Sequence, residues 1–286
     1  MMGETFVDAE TGETRHKALG RLPAKTTRKA LFMSEFVKST APDPPKRTNF
    51  WKRRTPFPTR SFGNLDWGNC TRAKQAIASM RMERLEVRRT PQIEDEEVIR
   101  VYREMVRRLY DTDEDMGAYE DDALNEWRNP EHTFRDAQGR PLTIDAYVKL
   151  NAADHYELKQ AIAASGAHGI AVCFNLPLGL STVDPPRPWD VPDGQPLVGR
   201  WKPGTWGGHS MWCRDYDEDG IWVAHTWELV DQLVTWDAVA AYMDEAHLVI
   251  DSMNYWRKNK PEASKFLKLA DVRDAVNAVS SIRIAA

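Results

Sequence analysis

The sequence predicts an α+β fold, a helical half followed by a half built from short, twisted antiparallel strands. Two patterns carry that expectation. Apolar residues recur at helical spacing over residues 71–86 and 94–109, whereas the apolar runs near 142–150, 170–174, 211–215, 221–226 and 246–250 are short and bounded by turn formers. With 286 residues and 42% hydrophobic content, the chain can bury one large core and still have residues left for an arm.

Residues 1–62 read as an extended arm. Pro23, Pro42, Pro44, Pro45, Pro56 and Pro58 interrupt it, leaving room for one helix from Thr27 to Val37. Residues 1–60 hold 13 Lys and Arg against 6 Asp and Glu, although the whole chain has a net charge of −4, so a basic arm precedes an acidic body. The clusters Arg28-Lys29, Lys46-Arg47 and Lys52-Arg53-Arg54 alternate with Phe32, Phe36, Phe50, Trp51 and Phe57, a composition able to hold single-stranded nucleic acid. No recognisable nucleic-acid module accompanies it, which favours an arm that wraps its own acidic body or a neighbouring subunit.

The main domain is expected over residues 63–251. Gly68-Asn69 supplies a turn, and Ala73, Ala76, Ile77 and Met80 form one face of the helix after it. The helix over 94–109 starts with Glu94 to Glu97 and ends with Arg107-Arg108, charges that complement its dipole. A short helix follows at Asp121 to Trp127. Leu142, Ile144, Ala146, Val148 and Leu150 alternate with polar positions, as in a strand with one wet face. Asp154 and Glu157 have capping-box spacing and open a helix that ends at Gly166, before an apolar central strand, Ile170 to Phe174. Residues 177–208 form a loop rich in Pro and Gly. Met211 to Asp215 and Ile221 to Thr226 make a hairpin through Gly220, and a helix from Thr235 to Met243 leads to the strand Ala246 to Ile250. Residues 252–286 form a tail with a helix near Ala270 to Val279.

Several chemistries are disfavoured. Cys70, Cys173 and Cys213 are odd in number and far apart, so they give neither a disulfide framework nor a zinc-knuckle spacing, and a reducing cytoplasm suits them during synthesis. Residues 1–13 lack an apolar core, and no apolar run reaches 18 residues, so neither a Sec signal peptide nor a membrane span is expected. Asp215, Asp217, Asp219 and Gly220 match the opening of a calcium loop, but Thr226 stands where the bidentate Glu belongs. His209 and Cys213 share a strand face, yet two ligands do not close a tetrahedral site. The expectation is no metal and no cofactor.

Cys70 is the candidate nucleophile. A thiol at a helix N-terminus is favoured as thiolate by unpaired N–H groups and the positive dipole end. The competing reading is a small buried hydrophobe, the usual state of a free cysteine. Gly207-Gly208-His209 supplies an imidazole 139 residues further on.

In this order Gly63-Asn64, Gly68-Asn69-Cys70, Gly208-His209, His225-Thr226-Trp227 and Asp244 to Ile250 resemble the papain-like cysteine peptidases, and more closely the papain-like proteins encoded by bacteriophages and prophages. The resemblance runs from about Leu19 to Ile250. In papain-type hydrolases the general-base histidine follows the cysteine by about 130–150 residues. The resemblance implies Cys70 as nucleophile, His209 as its imidazole partner, and Asn64 as a side-chain oxyanion donor, one methylene shorter than the usual glutamine. His225 falls where these peptidases commonly carry the asparagine that orients the imidazole, and Thr226 is expected on the opposite strand face. Trp227 resembles the tryptophan that shields the catalytic hydrogen bond. Trp206 and Trp227 are the candidates for holding substrate, within a group that includes Trp189, Trp201, Trp212, Trp222 and Trp236 and whose default role is core packing.

The function implied is a phage or prophage virion-associated protein on a cysteine-hydrolase scaffold, cleaving peptide or amide bonds in peptidoglycan or in a virion protein. It would be made in the host cytoplasm and carried in the virion, its arm touching neighbouring virion proteins. The alternative is an inactive head or tail component that uses the fold as an assembly module, which the altered orienting residue favours. The residues leave open whether the chain is an enzyme.

Overall fold

A computed structural model describes residues 4–7, 14–25, 30–50, 60–227, 230–259 and 261–279. Strands β1 (Glu4–Val7) and β2 (Thr14–Lys17) pair as a hairpin, and helices α1 (Cys70–Glu86), α2 (Asp95–Tyr110) and α3 (Glu120–Arg128) follow. Then come β3 (Ala146–Leu150), α4 (His155–Ser165), β4 (Ile170–Leu176), β5 (Gly207–Tyr216), β6 (Gly220–Ala224), β7 (Gln232–Thr235), α5 (Trp236–Tyr242) and β8 (Met243–Ile250). Helices α6 (Met253–Asn259), α7 (Pro261–Phe266) and α8 (Leu269–Val279) close the described chain. The sheet runs β3-β8-β4-β5-β6-β7 with every neighbouring pair antiparallel, so the expected α+β class and the order of its two halves hold.

Local chemistry sets the boundaries. Asp154 caps α4 by accepting from the N–H groups of Tyr156 and Glu157, and Thr235 caps α5 by accepting from Ala238 N–H. Acidic Asp95, Glu96 and Glu97 open α2 while Arg107 and Arg108 end it. Strand β3 begins only at Ala146, because the N–H groups of Leu142 and Ile144 bond to Phe134 O in irregular chain and to Trp127 O in the last turn of α3. Where a helix was expected from Thr27 to Val37, the described residues form one 3₁₀ turn, Met33–Glu35. Residues 26–29, with Arg28-Lys29, lie outside the described residues, as do Trp51, Lys52-Arg53-Arg54 and Phe57.

The sheet separates two cores by simple alternation of side chains. Val172, Met211 and Leu248 face one, with Leu158 and Ile162 of α4 and with Trp256, Phe266 and Val272 from the last three helices. Ala171, Trp212 and Val249 face the other, with Ala73, Ala76 and Ile77 of α1 and Val98 and Val101 of α2. Trp127 and Trp212 meet edge to face there, 6.3 Å apart. The described residues after the hairpin lie along this body: Lys149 N–H bonds Leu31, Thr48 N–H bonds Tyr216, and Met33 and Phe36 are core residues. No helix among the described residues is long and apolar enough to cross a membrane.

Candidate functional site

Cys70 is the first residue of α1. Its approach is fixed from behind, since Asn69 Nδ2 donates to Phe62 O at 2.8 Å and Gly68 N–H donates to Asp115, which Tyr102 also holds. The thiol is fully buried, and Sγ accepts from the backbone N–H groups of Ser210 and Gly20. Burial, reinforced by Glu120 and opposed by those donors and Lys74, pushes the thiol up to about 11. Desolvation outweighs what a place at the helix start would favour.

His209 stands near the start of β5, and the peptide that joins it to Ser210 donates to Sγ, so the sulfur touches the histidine's own backbone. Among the described residues, no hydrogen bond joins Sγ to the imidazole. His209 Nε2 lies 3.3 Å from Thr226 Oγ1, and Thr226 O–H donates to Asn64 Oδ1. A hydroxyl has one proton to give. With that proton on Asn64, Oγ1 accepts from His209, which puts the imidazole proton on Nε2 and leaves the Nδ1 lone pair free. Nδ1 has no hydrogen-bond partner among the described residues. Burial, then His225 and Lys17, hold the imidazolium form well below the usual histidine range.

The residue beside the imidazole is therefore Thr226 and not His225. Strand β6 ends at Ala224, so strand alternation no longer governs residues 225–227. His225 turns into the aromatic cluster instead, 5.1 Å from Trp189 and 5.2 Å from Trp227, with Gln232 as its polar neighbour. Burial, aided by Lys17, drives it down to about 3. Trp227 stacks on His209 at 4.0 Å, and Trp206 packs on Trp227 at 5.5 Å. Asn64 Nδ2, the side-chain donor foreseen for an oxyanion, donates to Trp67 O at 2.8 Å and to Ala18 O at 3.4 Å.

A feature that the composition of the arm did not reveal runs directly over these groups. Residues 17–22 thread between the helical half and the sheet half. Ala118 N–H donates to Gly20 O at 2.6 Å and Leu22 N–H to Ala118 O at 2.9 Å on one wall, while Arg21 N–H donates to Gly208 O at 3.1 Å on the other. Trp227 Nε1–H donates to Ala18 O at 3.1 Å. The walls need glycine for this approach: a Cβ on Gly117 would stand 2.1 Å from Gly20 O, and one on Gly208 would stand 2.1 Å from Arg21 O. Lys17 Nζ pairs with Asp184, donates to Ser181 O, and lies 5.8 and 5.6 Å from the Trp206 and Trp227 rings. The sequence signals were Gly20 beside Arg21 and glycine on both walls.

Beneath the sulfur lies a second polar group that sequence reading did not single out. Lys74 and Glu120 form a fully buried ion pair, Ser210 O–H donates to Glu120 at 2.8 Å, and Cys173 Sγ lies 3.5 Å from Ser210 Oγ. Burial pushes the Glu120 carboxyl up, but Lys74, His247 and Ser210 together hold it below the usual carboxylate range. In the β5–β6 turn, the Asp217 carboxylate accepts from Asp219 N–H, Gly220 N–H and Trp222 Nε1–H.

No family model matches the chain, and no curated protein matches it. Solved structures do. Xylellain, a cysteine protease from Xylella fastidiosa, aligns over 82% of this chain and 97% of its own with 17% identity and a TM-score of 0.59. The cysteine protease and lectin-like domains of Cwp84, a surface layer associated protein of Clostridium difficile, align over 82% of this chain and 56% of theirs, with 12% identity and a TM-score of 0.53. Digestive procathepsin L 3 of Tenebrio molitor larval midgut aligns over 82% and 76%, with 12% identity and a TM-score of 0.51. The chain has the papain-like cysteine protease fold.

Proposed function

We propose that this chain is a latent cysteine hydrolase acting on peptide or amide bonds, with Cys70 as nucleophile and His209 as the proton acceptor through Nδ1. Thr226 holds the tautomer, and Asn64 together with the Cys70 N–H is the oxyanion donor set. The observation that carries this reading is the course of residues 18–21, which cross Cys70 Sγ as a bound polypeptide would, hydrogen-bonded on both walls. In the described state the thiol and imidazole are both neutral and sealed from solvent, so turnover requires residues 17–22 to leave. Water can then reach the pair, the penalty on charge falls, and the helix end favours thiolate. The test is labelling by a thiol-directed peptidase inhibitor: selective reaction of Cys70 over Cys173 and Cys213, lost in His209→Ala, supports the reading, and equal slow reaction at all three overturns it.

A second reading follows from the same burial. A sulfur pushed up to about 11 and an imidazole without a bond to it also suit a scaffold that performs no chemistry. The phage or prophage setting implied by the sequence resemblance belongs with this proposal, as a virion protein that is either a hydrolase or an assembly module. Detection of the chain in purified particles, against its absence from them, is the measurement that addresses it.

A further inference from the structure

Arg21 enters a cradle that the catalytic proposal does not use. Its guanidinium donates through Nη2 to Asp244 Oδ2 at 2.7 Å and Glu245 Oε2 at 3.2 Å, and through Nη1 to Asn175 Oδ1 at 3.2 Å. The side chain is fully buried, as is Glu245, while Asp244 retains 24% exposure. Lys149 takes the other oxygen of Glu245, at 3.1 Å. His247 Nε2 is 3.3 Å from Asp121 and 3.8 Å from Glu245. Glu245 is thus shared between Lys149 of the body and Arg21, and Arg21 is also the cation that pairs with Asp244. With Arg21 gone, Glu245 keeps Lys149 but Asp244 loses its ion-pair partner Arg21, leaving the cradle to take up a proton or an entering cation.

The position of this cradle links it to the cleft. Gly20 N–H touches Cys70 Sγ, and the next residue, Arg21, pairs with Gly208 O and turns its side chain into the cradle. Asp244 and Lys149 also border an open depression lined by Phe32, Ser34 and Asn151, so the Asp244 edge of the cradle meets solvent. We infer that Asn175, Asp244 and Glu245 form a recognition pocket for an arginine-type side chain of a polypeptide in the cleft, and that Arg21 is its internal placeholder. The inference rests on the proposed function only in taking the cleft as the place where such a polypeptide binds. It names a substrate class: chains carrying a guanidinium group beside the bond presented to Cys70. The pocket reads charge and planar hydrogen bonding, whichever way the entering chain runs.

The test is the full chain with Arg21→Ala, probed by N-acetyl-arginine amide and by its uncharged isostere N-acetyl-citrulline amide in thermal shift and calorimetry. The arginine probe should stabilise the variant and not the parent, and the citrulline probe should bind roughly tenfold or more weakly, the effect of losing charge-assisted hydrogen bonds. Equal binding of both probes, binding of neither, or equal stabilisation of parent and variant overturns the inference. If Arg21→Ala does not fold, Arg21→Gln keeps the stem and carries the same comparison. No turnover is needed. Arginine-selective binding with an inert Cys70 defeats the hydrolase reading alone; a reactive Cys70 without arginine selectivity defeats only this one.

Discussion

Gly20 rests on Gly68 so closely that a Cβ at position 20 would stand 1.7 Å from the Gly68 carbonyl oxygen. That contact couples the covering segment to the loop that delivers Cys70, since Gly68 and Asn69 directly precede the sulfur. Any side chain at residue 20 must move one of the two.

The first prediction uses this contact. Gly20→Val should lift residues 18–22 from the cleft; Leu19 is the core residue in that stretch, so the rest of both cores stays in place. Labelling of Cys70 by a thiol reagent at neutral pH should rise roughly tenfold or more, the effect of about 1.4 kcal/mol on the opening equilibrium. An unchanged rate, with the fold intact by circular dichroism, would mean that the segment is not the barrier.

The second concerns pH on the alkaline side. In the parent, the labelling rate should climb about tenfold per unit as pH rises toward the Cys70 value of about 11. In Gly20→Val the same curve should lie at lower pH, since solvent entry removes much of the burial penalty. Superimposable profiles would contradict the assignment of burial as the cause.

The third concerns the acid side. His225 is held at about 3, so between the ordinary histidine value near 6.5 and about 3 the unfolded chain binds a proton that the folded chain refuses. Its contribution is complete above pH 6.5 and is lost as pH falls, at about 1.4 kcal/mol per pH unit. His209, also held down, adds in the same direction. Denaturant unfolding at pH 7 and pH 5 should show a smaller difference for His225→Gln than for the parent.

The fourth addresses Lys74 and Glu120. Lys74→Met leaves a buried carboxylate with Ser210 as its remaining bonded partner, and should cost about 3–5 kcal/mol. Adding Glu120→Leu should recover much of that loss, because a well-packed apolar pair often replaces a buried ion pair without penalty. Urea midpoints of the two single variants and the double variant measure the coupling directly.

The sequence made the helices and central strands legible because their signals are local. Asp154 and Glu157 announced α4, the charges at each end of α2 marked its limits, and the apolar run from Ile170 foretold β4. It also singled out Asn64, Cys70 and His209 through the resemblance; Asn64 and His209 both meet Thr226, while no hydrogen bond among the described residues joins Cys70 to the imidazole. Thr226 was hidden because alternation was extended past Ala224, where β6 stops. Strand β7 was too short, at four residues, to show a pattern. The threading of Ala18 to Arg21 depends on contacts with Gly68, Ala118 and Gly208, far away in the chain, and no local pattern encodes such a meeting. Burial of the thiol follows from those contacts, which is why the helix-end argument alone pointed to a lower value than the structure has.

Met33 and Phe36 belong to the core on the α4 face, and Lys38 N–H and Lys268 N–H tie residues 36–38 to the chain at Phe266 and beyond. The movable latch is therefore short. Displacing residues 17–22 alone frees the cleft without dismantling the wall, whereas removal of everything up to residue 40 strips the body of its lining.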